Sequence, residues 1–76
     1  MTKIKKEAFL QLCRKVNVNV PEETLRLAVD VAYRQISHGR WQYGNPASVF
    51  MRDRLPCIRY QEGTWWHYDV VKGLWF

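Results

Sequence analysis

Cysteine is scarce in this chain. Only Cys13 and Cys57 occur among 76 residues, with no paired spacing. That excludes a disulfide framework as the basis of folding and points to free thiols in a reducing compartment. Long apolar runs are missing too. No stretch approaches the roughly 18 apolar residues of a membrane-crossing helix. The opening Met1–Leu10 has a basic flank but no apolar run behind it, so it does not read as a secretory leader. A cytoplasmic protein with no membrane partner is expected. Glycine and proline are few, four and three. They punctuate turns and form neither a phosphate loop nor a low-complexity segment. Acids are the minority charge: seven Asp and Glu against twelve Lys and Arg, a net +5.

Aromatic rings are what the chain has instead. Four Trp, four Tyr and three Phe occur, and each can bury roughly 150–250 Å². Rings of that size help a chain too short to build a large core, so residues 1–76 are read as one small domain. The basic excess is uneven, +4 over residues 1–40 and +1 over residues 41–76. A basic domain attracts nucleic acid, anionic lipid or an acidic protein surface, although solubility alone also explains such a charge.

The apolar spacing predicts three helices and then a hairpin, an α+β fold. The first helix runs from about Lys3 to Val16, with Thr2 as N-cap and an apolar face of Ile4, Ala8, Phe9, Leu12, Cys13 and Val16. The second begins with Pro21 at its first position and acids Glu22 and Glu23 near its positive end. It reaches about Ser37, and Gly39 closes it. Leu25, Ala28, Val29, Ala32 and Ile36 form one apolar side, and Leu27 and Val31 the other. Such a helix belongs between layers. Asn45-Pro46 reads as cap and first turn of a short third helix ending near Leu55, before Pro56.

The last twenty residues, Cys57–Phe76, alternate as strands around Glu62-Gly63, and a short third strand follows Lys72-Gly73. A two-residue turn at Glu62-Gly63 pairs Tyr60 with Trp65, Arg59 with Trp66, Ile58 with His67 and Cys57 with Tyr68. Ile58, Tyr60, Trp65 and His67 then share the core-like face. Cys57, Arg59, Trp66 and Tyr68 share the other, with Arg59 over Trp66 as a cation–π pair. A slip of one residue exchanges the two faces.

Chemistry finds little support in these residues. Cys13, His38, Cys57 and His67 lack metal-ligand spacing. In the register above, Cys57 and His67 lie on opposite faces, out of reach as a nucleophile and base. Asp53, Glu62 and Asp69 are isolated acids. No enzyme activity, cofactor or metal is expected, and binding remains.

Two binding classes stay open. In the first, exposed rings and an arginine, namely Trp41, Tyr43, Arg59, Trp66, Tyr68 and Trp75, dock on a larger protein partner. The chain is then a small regulator or inhibitor of the kind phages and other mobile elements encode. Self-association is a further way to bury surplus rings. In the second, the target is nucleic acid, in transcription or recombination. The order of three helices and a hairpin resembles a winged helix-turn-helix domain. That resemblance implies a reading helix presenting Ser48, Arg52 and Arg54, with Arg40 and Trp41 adding phosphate and stacking contacts.

Overall fold

The computed structural model describes residues 4–76. Two helices are followed by a four-stranded antiparallel meander, so the fold is α+β. The helices are α1 (Lys6–Lys15) and α2 (Glu22–Ile36). The strands are β1 (Pro46–Arg52), β2 (Leu55–Tyr60), β3 (Trp65–Asp69) and β4 (Leu74–Trp75), adjacent in chain order.

Helix α1 buries Phe9, Leu10 and Cys13 and leaves Ala8 exposed, so its apolar face is turned slightly from the expected one. The expected start at Lys3 and the Thr2 cap lie outside the described residues. Helix α2 follows Pro21, which occupies the N-cap, and ends at Ile36 with Ser37 as C-cap. It touches α1 on one side and β2, β3 and β4 on the other. That is why its sequence is apolar on two sides. Val31 is buried, while Leu27, expected on the same side, is 45% exposed.

The third helix does not exist. Residues 46–52 form β1, and the Asp53-Arg54 turn returns the chain as β2, pairing Arg52 with Leu55 and Phe50 with Cys57. Proline at a strand's first residue costs no ladder bond, so Asn45-Pro46 serves a strand as well as a helix. Val49 and Phe50 favour the pleated surface. The α1–α2 connector completes the layer. It runs parallel to β1, with Val18 N–H on the Val49 carbonyl at 2.8 Å and Val49 N–H on the Val16 carbonyl at 3.0 Å. The outer edge of β1 is thereby covered and cannot template pairing with another chain there.

The second hairpin turns through three residues, Gln61-Glu62-Gly63. The Gly63 N–H reaches the Tyr60 carbonyl, and the Tyr60 N–H reaches the Thr64 carbonyl, both at 2.9 Å. Gly63 supplies the positive φ, 112°, that closes such a loop. One extra loop residue shifts the register by one. Cys57 faces His67, Ile58 faces Trp66 and Arg59 faces Trp65. The expected faces of β3 are therefore exchanged, while Ile58 and Tyr60 of β2 face the core as expected. The ladder ends at Cys57 because Pro56 has no N–H to extend it.

Val49, Ile58, Tyr60 and Tyr68 turn toward the helices and join Phe9, Leu25, Val29 and Ile36 in the core. At its centre a polar chain crosses from sheet to helix. The Tyr60 hydroxyl lies 2.8 Å from that of Tyr68, and the Tyr68 hydroxyl donates to Gln35 Oε1 at 2.6 Å. Burial raises the pKa of both phenols.

Candidate functional site

With the helices packed on one side, the opposite side of the sheet is left to solvent. Strand alternation sends Ser48, Phe50 and Arg52 of β1, Cys57 and Arg59 of β2, and Trp65 and His67 of β3 to that outer side. The register sets Ser48, Arg59 and Trp65 in one row and Phe50, Cys57 and His67 in the next. Phe50, Trp65 and His67 take no part in the core cluster.

These side chains touch one another. The Phe50 and Trp65 rings are 5.8 Å apart, and Trp65 and His67 are 5.0 Å apart. Phe76, 61% exposed, stacks on His67 at 4.7 Å with the planes 6° from parallel. Backbone bonds between His67 and Phe76, at 2.9 and 3.1 Å, hold that stack in place. The Arg52 guanidinium lies over Trp65 at 5.4 Å, and that of Arg59 over Phe50 at 5.8 Å. Each such contact is worth about 0.5–1 kcal/mol at an exposed site. Rings and side chains spread over Cys57 and leave its thiol no exposed surface.

The charges differ between the two sides. On the helical side, Lys6 pairs with Asp30, and Arg14 and Arg26 share Glu22. The Arg14 guanidinium pulls the Glu22 carboxyl below its ordinary pKa. The groove between the helices, lined by Lys6, Glu7, Leu10, Arg26, Val29 and Asp30, is thus charge-compensated. On the sheet side, Arg52, Arg54 and Arg59 have no carboxylate partner among the described residues. The one acid there, Asp53, meets His67 Nε2 at 3.2 Å. The outer face therefore holds two uncompensated guanidiniums, of Arg52 and Arg59, interleaved with four rings, and Arg54 stands in the turn at its rim.

The residues expected to contact a protein fall mostly elsewhere. Tyr68 is fully buried, so its ring has no surface to offer. Trp66 faces inward against the core, 6.2 Å from Tyr43. Trp41 packs edge-on to Tyr43 and Tyr60, each at 4.8 Å, and its Nε1–H donates to the Gly44 carbonyl. Trp75 packs on the core beside His38. Only Arg59 lies on the outer face, over Phe50 and not over Trp66. Of the residues expected to contact nucleic acid, Ser48, Arg52 and Arg54 lie on this face or at its rim, on a strand and turn and not on a helix. Arg40 and Trp41 belong to the loop before β1. Without a third helix there is no reading helix, and the winged helix-turn-helix arrangement is not this fold.

Trp65, expected in the core, is an outer-face residue, and Phe50 and Phe76 were not singled out in the sequence. The three-residue loop finds Trp65, the strand reading of residues 46–52 finds Phe50, and the backbone pairing of Phe76 with His67 places the last ring. The corrected register also makes Cys57 and His67 cross-strand neighbours. Burial pushes the Cys57 thiol up to about 11. Both His67 nitrogens face other acceptors, the Asp53 carboxylate and the Phe76 carbonyl. The thiol is protonated at neutral pH and has no free base beside it. Among the described residues, no three His, Cys, Asp or Glu side chains are grouped to hold a metal ion. No described helix is long and apolar enough to cross a membrane.

The chain matches no family model, no curated protein and no solved structure.

Proposed function

We propose that this protein binds single-stranded nucleic acid on the outer face of its sheet. The observation that carries the reading is the interleaving of Phe50, Trp65, His67 and Phe76 with Arg52 and Arg59 on a side that no described element covers. Unpaired bases stack on such rings, each stack worth about 1–3 kcal/mol, and guanidiniums take the phosphates between them. The His67–Phe76 stack supports the reading most specifically. Two rings are already parallel, and the outer ring leaves surface for a third. Duplex nucleic acid hides its bases and offers this face only phosphates.

The alternative occupant is an acidic protein surface, which the same arginines and rings would also suit. Fluorescence anisotropy of labelled single-stranded 12-mers separates the two. Arginine–phosphate contacts by Arg52 and Arg59 alone give a single-strand slope of log K on log salt near −1.4, or about sevenfold weaker binding at 200 mM than at 50 mM salt. Trp65→Ala should weaken binding, and Arg14→Ala, on the helical side, should not. No binding to any single strand at 50 mM salt removes the nucleic-acid reading and leaves the protein partner.

A further inference from the structure

The β1–β2 hairpin turns through Asp53 and Arg54 alone, and both have positive φ, 55° and 65°. Two consecutive left-handed residues define the tight hairpin turn that follows strand twist, and its second position is strongly a glycine position. Asp53 is an ordinary occupant of the first position, since its short side chain tolerates that backbone. Arg54 is not ordinary. A long side chain there is strained, and the structure shows no compensation. Arg54 is exposed and makes no side-chain hydrogen bond or ion pair among the described residues. The four glycines of the chain all occupy positive-φ positions elsewhere. The one tight two-residue hairpin turn is thus left to an arginine.

Strain without local compensation points to a role outside the fold. The turn lies at the rim of the ring-bearing face. Asp53 is bonded to His67, and Arg52, the residue before the turn, lies over Trp65. We infer that Arg54 is a phosphate-contacting residue at the end of the single-strand track, kept at the expense of hairpin stability. This rests on the nucleic-acid reading above. It adds that the track extends past the rings to the hairpin tip and that stability and binding oppose each other at this one position.

The test is Arg54→Gly in the full chain, with Arg54→Lys and Lys15→Ala beside it. Arg54→Gly should raise Tm by about 4–8 °C, the shift expected when roughly one strained residue is relieved in a domain this small. It should weaken binding of a labelled single-stranded 12-mer about three- to tenfold at 100 mM salt and flatten the salt slope by about 0.7. Arg54→Lys should keep the slope without the gain in Tm, and Lys15→Ala, on α1, should keep the wild-type slope and affinity. An unchanged slope and affinity in Arg54→Gly, with wild type binding normally, would overturn the phosphate assignment and leave the outer-face reading standing. A lower Tm in Arg54→Gly would overturn the opposition of stability and binding. Failure of wild type to bind any single strand would remove both.

Discussion

The two buried tyrosines should differ sharply in what their hydroxyls contribute. Gln35 Oε1 can only accept, so the Tyr68 hydroxyl donates to it and in turn accepts from Tyr60. The chain therefore has a direction, and Tyr68 is its middle member. Tyr60→Phe removes the terminal donor. Tyr68 still donates to Gln35 and loses one lone-pair partner, a net loss of about 1 kcal/mol. Tyr68→Phe strands two groups, the Tyr60 hydroxyl and Gln35 Oε1, in a core where both tyrosines are essentially fully buried. An unsatisfied buried group costs about 1–3 kcal/mol, so the total for two should fall at about 2–6 kcal/mol. The double variant should cost less than the sum, because the stranded Tyr60 hydroxyl is removed with its partner. Urea unfolding followed by tryptophan fluorescence measures all three, with shifts of midpoint at constant m-value. Equal losses in the two single variants, or a larger loss in Tyr60→Phe, would refute the direction of the chain.

Three further perturbations have expected outcomes. Stability should fall as pH rises above about 9, because the unfolded chain releases protons that the folded thiols and phenols keep. Cys13 is held up to about 12 and Cys57 to about 11, both by burial, and Tyr60 and Tyr68 are raised as well. Each group adds a slope of about 1.4 kcal/mol per pH unit between its unfolded and folded pKa, readable from urea midpoints at pH 8 to 10.5; flat stability across that range would contradict the burial. Native-state reaction with a thiol-specific disulfide reagent at pH 8 should be slow for both cysteines and slower for Cys13, which α1 turns into the core, than for Cys57, which lies beneath surface side chains. Gly73→Ala should destabilise by about 1–3 kcal/mol in the same urea assay, since Gly73 has φ +70°, a backbone that a side chain strains.

Much of the architecture was legible from residue spacing. The 3.6-residue periodicity of Phe9–Val16 and Leu25–Ile36 placed the end of α1 and both ends of α2 within a residue, while α1 begins at Lys6, after Ile4 and Lys5 that were expected inside it. The two-sided apolar pattern of α2 put it between α1 and the sheet. The Lys72-Gly73 turn announced β4. Two local signals were ambiguous in physical terms. Asn45-Pro46 opens a helix or a strand equally well, and Val49-Phe50-Met51 has no clean helical face, which is what a strand with both sides occupied produces. The glycine at Gly63 closes a three-residue loop as readily as a two-residue one, and the choice moves every side chain of β3 to the other face. That single residue is why Trp66 and Tyr68 were read as surface and Trp65 and His67 as core. The site itself was beyond reach in the sequence because its rings come from two strands that are not neighbours and from Phe76, and only the register sets them side by side.

An amide-resolved NMR titration with a single-stranded 12-mer tests the central claim most directly. Binding on the outer face predicts shifts at 48–54, 57–59, 65–67 and Phe76, together with Trp65 rather than Trp41 among the indole N–H signals. The α1–α2 surface around Lys6, Arg26 and Asp30 should stay still. Shifts confined to that helical surface, or no shifts at 50 mM salt, would contradict the account.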